Sequence, residues 1–343
     1  MSLQSVMTRL IFSLPSGVIQ AMAGKKTEAD GKTLDPRIAL MAKEAAKQAA
    51  KAPPGFVLTP DVAREGMKTG FALCDAPRRA NVATRDLTVP GGGGVPLEAR
   101  LYTPPNATGN EPLLVYMHQG GCVLGGLWTC DTWCSILAED ARAVVLNVNY
   151  RHAPEDKFPA SVDDAIAAFE WAVANAKSLG ADGKRIGVGG DSAGGNLAAV
   201  AAQAHRDASP PLKGQLLIYP VTDFTAEHPS LERNGEGLFL TRDDMEWFRD
   251  NYIADEADGA DPKASPRLGE LAGLAPAVVV TAEMDPLLDD GEAYADALEE
   301  AGVPVLRRQF DSLIHGFLAL GAVSPKASAA VDSVCADLRD LLG

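Results

Sequence analysis

The sequence predicts an α/β protein with a mostly parallel central sheet, helices on both faces and a helical cap. Three observations carry that expectation. From residue 113 onward, apolar strand-like runs alternate with helical ones, the rhythm of a parallel sheet wound with crossover helices. Residues 1–82 lack the rhythm, are helical in character and carry no strand pattern, so they read as a separate cap segment. Within the alternating stretch, Arg185–Val200 reads as a short buried strand that turns at once into a helix.

In order along the chain, Asp35-Pro36 supplies an N-cap and a first-turn proline for a helix running to Lys51, which Pro53-Pro54-Gly55 ends. Thr59-Pro60-Asp61 opens a second helix, to about Cys74. Asp86–Val89 and Val95–Tyr102 flank four glycines and read as an antiparallel hairpin. Leu113–Met117 is unbrokenly apolar, as a strand covered on both faces should be, and Ala143–Asn149 is the next strand. A helix over 160–178 places Val162, Ile166, Phe169 and Val173 on one face. Ile186 and Val188 then alternate with small residues ahead of the strongly helix-forming run from Asn196. Gln215–Tyr219 is a strand ended by Pro220. The acidic stretch 221–274 breaks the rhythm, contains a helix at Arg242–Tyr252, and reads as an insertion that contributes to the cap. Alternation resumes with strand Ala277–Thr281, a helix near 289–301, strand Val303–Phe310 and a last helix near 325–342. The main domain is thus 83–343, and right-handed crossovers bring its working loops to the carboxyl ends of the strands.

Composition narrows the function classes. At 343 residues the chain can bury a large core, and 46% hydrophobic with 22% charged residues suits a globular enzyme. The net charge of -15 argues against nucleic acid or an anionic membrane surface as partner. No run of about 18 apolar residues predicts a membrane span. Leu10–Leu14 followed by Ala21-Met22-Ala23 faintly resembles an export signal, but Pro15, Ser16, Gly17 and Gln20 interrupt it. An amphipathic structural segment and a cytoplasmic protein are the expectation. Cys74, Cys122, Cys130, Cys134 and Cys335 show no metal-ligand spacing and suit a reducing compartment.

The strand-to-helix turn carries the chemistry. In Gly190-Asp191-Ser192-Ala193-Gly194 the turn forces Ser192 into a strained conformation, and the flanking glycines remove the Cβ clashes. Its hydroxyl would stand above the sheet at a helix N-terminus. A serine needs a base, the base an orienting acid, and the oxyanion its donors. Among five histidines, His205 lies in a polar helical stretch and reads as solvated, His228 sits in an acidic loop, and His152 precedes the serine. His315, just past the last strand with Gly316 behind it, is the expected base. Asp285, at a strand end before Pro286, is the expected acid, with Asp311 the runner-up. Asp191 and Glu283 flank these residues, and Asp289 and Asp290 read as helix-opening carboxylates. The oxyanion donors are the backbone N–H groups of Gly120, Gly121 and Ala193.

These motifs resemble one family. His118-Gln119-Gly120-Gly121, the Ser192 pentapeptide, Asp285-Pro286-Leu287, His315-Gly316-Phe317 and Tyr150-Arg-His-Ala-Pro-Glu-Asp-Lys-Phe-Pro159 are similar to those of the hormone-sensitive lipase-like esterases, bacterial lipase family IV. The order serine, aspartate, histidine is that of the α/β-hydrolase fold. The resemblance covers roughly residues 85–343. It implies that fold, an N-terminal helical cap, no cofactor, and hydrolysis of short- to medium-chain carboxylic esters through an acyl-enzyme on Ser192. It also marks a departure, because Gln119 stands where the family usually has glycine. That residue bears on the loop's conformation if the position needs a positive φ, and it narrows the alcohol side of the pocket. His118 reads as bracing the loop. An amidase, lactonase or interfacial lipase could run on the same machinery. A catalytically silent binding protein is the rival from another class, although all three triad members are present here. The last strand reads as an exposed edge through which a homodimer could pair.

Overall fold

A computed structural model of the chain describes residues 10–51, 53, 56–74 and 76–343. The expected helix stop at Pro53-Pro54-Gly55 falls partly outside them. Ahead of the main sheet come helix α1 (Ser16–Ala23), the two-residue strands β1 (Glu28–Ala29) and β2 (Lys32–Thr33), and helices α2 (Pro36–Ala49) and α3 (Pro60–Cys74). The main domain follows with β3 (Ala83–Pro90), β4 (Pro96–Thr103), β5 (Pro112–Met117), α4 (Asp131–Asp140), β6 (Val144–Val148), α5 (Ala160–Asn175), β7 (Asp182–Asp191), α6 (Ala193–Ala204) and β8 (Gly214–Ile218). Three short helices, α7 (Pro229–Asn234), α8 (Arg242–Tyr252) and α9 (Glu256–Gly259), precede β9 (Ala277–Met284), α10 (Leu288–Glu300), β10 (Val305–Ile314) and α11 (Pro325–Leu342).

The local signals act as their chemistry dictates. Asp35 caps α2 by accepting from the Arg37 N–H at 2.8 Å. Thr241 and Asp244 form a reciprocal capping box at the start of α8. Among the described residues of the first 80, the β1–β2 pair is the one strand feature that the sequence does not signal. It closes around Asp30 and Gly31, both at positive φ, and is too short to leave a periodic pattern. Helix α4 also left no distinct signal, because all but its ends are buried and it lacks a polar face.

The eight-stranded sheet runs β10-β9-β8-β7-β5-β6-β4-β3. Pairs from β10 through β6 are parallel, whereas β3–β4 and β4–β6 are antiparallel. Strands β5, β6, β8 and β9 are buried along their whole length, as the unbroken apolar run of β5 and the largely apolar runs of the others require. One core, with Val162, Phe169, Leu197 and Leu298, lies under α5, α6 and α10. The other, with Trp133, Leu137, Val331 and Leu338, lies under α4 and α11. Register decides the rest. Met117 of β5 pairs with Gly190 of β7, Asp191 with Ile218 of β8, and Ile218 with Val280 of β9. The residues just beyond these strands therefore emerge together along one edge of the sheet.

The N-terminal segment lies against this domain. The Arg37 guanidinium donates to the Phe12 and Leu14 carbonyls, and Ile19 of α1 is fully buried. Arg64 of α3 reaches Glu155 and the Val123 and Ala153 carbonyls. Trp247 of α8 donates to the Leu58 carbonyl at 3.1 Å, joining the 221–274 stretch to the N-terminal one. Among the described residues no helix is long and apolar enough to cross a membrane.

Candidate active site

Ser192 stands between β7 and α6 with φ 57° and ψ -123°, a backbone conformation that a non-glycine residue adopts only under constraint. The constraint is visible on both sides. A Cβ on Gly190 would stand 2.1 Å from the Gly194 carbonyl oxygen, and one on Gly194 would stand 2.0 Å from that of Met117. The Ser192 N–H is pinned to the Ile218 carbonyl at 2.9 Å. The turn is therefore rigid and presents the hydroxyl at the edge of the sheet.

His315 and Asp285 come to it from the ends of β10 and β9. His315 Nε2 lies 2.9 Å from Ser192 Oγ, and Nδ1 lies 2.8 Å from Asp285 Oδ2. An ionised carboxylate can only accept, so Nδ1 carries the proton and Nε2 is left to accept from the serine hydroxyl. Asp285 is fully buried, and its other oxygen accepts from the Leu287 N–H at 2.8 Å. Asn234 of α7 donates to the Asp285 backbone carbonyl at 3.1 Å. The Tyr219 ring leans on the imidazole, with centroids 4.6 Å apart. Asp311, the runner-up acid, instead pairs with Lys32 at the surface, 2.6 Å away.

The loop after β5 lies opposite. Gly120 and Gly121 have φ of 131° and 62°, whereas Gln119 lies outside the left-handed region, so its side chain causes no backbone strain. His118 braces the loop as expected. Its Nδ1–H donates to the Gln119 carbonyl at 2.8 Å, its own carbonyl accepts from the Tyr150 hydroxyl at 2.7 Å, and its ring stacks on Tyr150 at 4.4 Å. Burial lowers the His118 pKa to about 4, so the ring is neutral and does not compete for the catalytic proton. Gln119, Gly120, Gly121, Ser192, Ala193 and His315 all line one cavity of 880 Å³.

A family model for the alpha/beta hydrolase fold matches residues 114–319. The chain belongs to that family. Carboxylic ester hydrolase LipN of Mycobacterium tuberculosis is 42% identical over 329 residues, covering 92% of this chain and 85% of that protein. Ethyl acetate hydrolase of Pseudomonas putida is 38% identical over 321 residues, covering 90% and 100%. The solved structure of ester-hydrolase EH1AB1, from the metagenome of Lake Arreo, superposes with a TM-score of 0.84 at 37% identity, covering 90% of this chain and 98% of that one. The resemblance read from the motifs and the expected fold are both borne out.

The hydrolase also holds features that residue spacing does not reveal. Asp191 is fully buried next to Ser192 and accepts from the hydroxyls of Tyr116 at 2.9 Å and Tyr219 at 3.1 Å, with the Cys130 thiol at 3.5 Å. Burial raises its pKa to about 6 against these hydrogen bonds and the nearby His315. Asp290 does not merely open α10. It is buried on the cavity wall, accepts from the Thr222 N–H at 2.8 Å and the Thr222 hydroxyl at 2.5 Å, and lies 3.9 Å from His228 Nε2. His205 is not solvated as expected; it is buried edge-on to Phe169, because α6 lies against α5. His152 packs beside His118 and Tyr150, away from the serine. Leu124 and Ile314 line the cavity, whereas Phe317 is buried against Tyr219 and Phe310.

Proposed function

We propose that the protein is a serine carboxylesterase acting on short- to medium-chain carboxylic esters. The observation that carries this reading is the hydrogen-bonded relay from Asp285 through His315 to Ser192, opening into a cavity. Ser192 Oγ bonds to the ester carbonyl carbon as its proton passes to His315 Nε2. Asp285 holds the imidazole tautomer and stabilises the imidazolium. The backbone N–H groups of Gly120, Gly121 and Ala193 stabilise the oxyanion. The bond from carbon to the alcohol oxygen then breaks, and His315 returns the proton to the departing alcohol. Water repeats the cycle on the acyl-enzyme, with His315 again as base, and releases the carboxylic acid and free Ser192. No step calls for a cofactor.

Residues 1–82 and 221–274 would form the cap, since Met41, Phe71, Phe239 and Phe248 from these stretches line the cavity beside Ser192. Cys122, Cys130, Cys134 and Cys335 are buried free thiols, which supports a reducing, cytoplasmic location. The last strand, β10, is an edge of the sheet. Pairing of two such edges would give a homodimer, whose mass light scattering would report.

The test of function is hydrolysis of p-nitrophenyl acetate, butyrate, octanoate and palmitate by the wild type and by Ser192→Ala. Activity should peak at the shorter chains and vanish in the folded variant. A folded wild type inactive on all four would refute the reading and favour a silent binding protein.

A further inference from the structure

The loop that carries Gly120 and Gly121 also carries a side chain that the reaction does not use. Both glycines are required by their surroundings: a Cβ on Gly120 would stand 2.1 Å from the Leu124 carbonyl oxygen, and one on Gly121 would stand 2.2 Å from the Phe248 ring. Position 119 has no positive φ, and there the chain places a glutamine. Its backbone carbonyl is engaged by His118, but no side chain or backbone group among the described residues hydrogen-bonds its carboxamide. Gln119 is nevertheless only 7% exposed and lines the cavity. A carboxamide that faces a cavity without a protein partner becomes costly once a ligand displaces water from it, since its donor and acceptor then need partners.

Position decides which part of a substrate it meets. Gln119 Oε1 lies 3.6 Å from where a Cβ on Gly316 would stand, so the carboxamide runs along the wall beside His315–Gly316. His315 Nε2 must hand its proton to the departing oxygen, so the alcohol portion of an ester lies on the His315 side of the scissile carbonyl. The cavity that Gln119 faces is lined by apolar side chains such as Met41, Phe71, Ile314 and Leu320, and by polar ones such as Arg242 and Asp290. A carboxamide with no protein partner discriminates by hydrogen bonding, because a ligand that covers it without pairing leaves it unsatisfied.

We propose that Gln119 is a specificity-determining residue that reads a hydroxyl on the leaving alcohol, so that the favoured substrates are monoesters of diols or polyols rather than plain alkyl esters. A hydroxyl matches the group because it can donate to Oε1 and accept from Nε2. The proposal rests on the ester-hydrolase reading above.

The test compares 2-hydroxyethyl butyrate with propyl butyrate, which differ by a hydroxyl in place of a methyl. The wild type should prefer the hydroxy ester in kcat/KM beyond the ratio of the two alkaline hydrolysis rates. Gln119→Met, similar in length but unable to pair, should shift that preference about tenfold toward the propyl ester. The variant comparison cancels the intrinsic reactivity of the two alcohols, and the wild-type arm stands even where the variant does not fold. An active wild type with no preference beyond alkaline hydrolysis, or an unchanged ratio in a folded Gln119→Met, overturns the proposal and leaves the hydrolase reading intact. A folded wild type that cleaves neither these butyrates nor the p-nitrophenyl esters overturns both.

Discussion

Gly120→Ala is the sharpest perturbation of the proposed oxyanion hole. The new Cβ would lie 2.1 Å from the Leu124 carbonyl oxygen. Carbon and oxygen settle at about 3.3 Å or more, so the loop must open by about 1 Å. Relief is hard to find, because the clash is with backbone and the turn is closed by the Val123 and Leu124 N–H groups on the Gly120 carbonyl, at 3.0 and 2.8 Å. The φ of 131° adds strain of about 1–3 kcal/mol for any residue with a Cβ. A donor displaced by about 1 Å no longer reaches the oxyanion, and losing one such donor costs about 10²–10³ in kcat. The assay is kcat and KM on p-nitrophenyl butyrate, with circular dichroism to confirm that the variant is folded. Most of the loss should fall on kcat. Gly121→Ala is the comparison. Its φ of 62° lies where an alanine is tolerated at modest cost, and its clash is with the Phe248 side chain, which can rotate on α8. It should lose less. A folded Gly120→Ala within about threefold of the wild-type kcat, or a Gly121→Ala that is worse, would refute the reasoning.

Two further predictions concern buried carboxyls. Asp191, with a folded pKa of about 6 against an ordinary 3.8, holds its proton more tightly in the folded state. Its proton therefore stabilises the fold below about pH 4, and that contribution, about 3 kcal/mol, is lost as pH rises through 6. Urea unfolding from pH 4 to 7.5 should show the stability of the wild type falling with pH relative to that of Asp191→Asn, by about 3 kcal/mol across the range; parallel pH profiles would count against it. The difference between the two proteins is the readout, since Asp290, also raised to about 6 by burial, acts with the same sign, and His118 and His152, lowered by burial to about 4 and about 3, act with the opposite one. Asp164 is fully buried and accepts from the Gly92 and Arg151 N–H groups and from the Arg151 guanidinium at 2.7–3.2 Å. Asp164→Ala strands those donors and should destabilise the protein by about 3–5 kcal/mol in a denaturant titration, with a loss under about 1 kcal/mol refuting the role given to this pair.

The strand-turn-helix around Ser192 was legible because its signal is local. Glycines two residues to either side are demanded by contacts within the turn and with the strand beside it, and the helix-forming run after it is continuous. The loops bearing Asp285 and His315 were legible because a parallel sheet sends the carboxyl ends of its strands to one edge. The capping residue Asp35 announced its helix for the same short-range reason. His205 was misread because its partner, Phe169, lies on a different helix.

The surroundings of Asp191 could not be read this way. Its partners come from β5, from Tyr219 just past β8 and from the turn Leu127–Cys130, brought together because β7 lies between β5 and β8 in the sheet. Nor could spacing tell that position 119 needs no positive φ while 120 and 121 do, since that depends on how Leu124 and Phe248 close over the loop. Steric demands within a few residues are written into neighbouring letters of the chain. The order of strands in the sheet, and hence which carboxyl lies buried and which carboxamide is left facing a cavity, arises from packing between segments far apart in sequence.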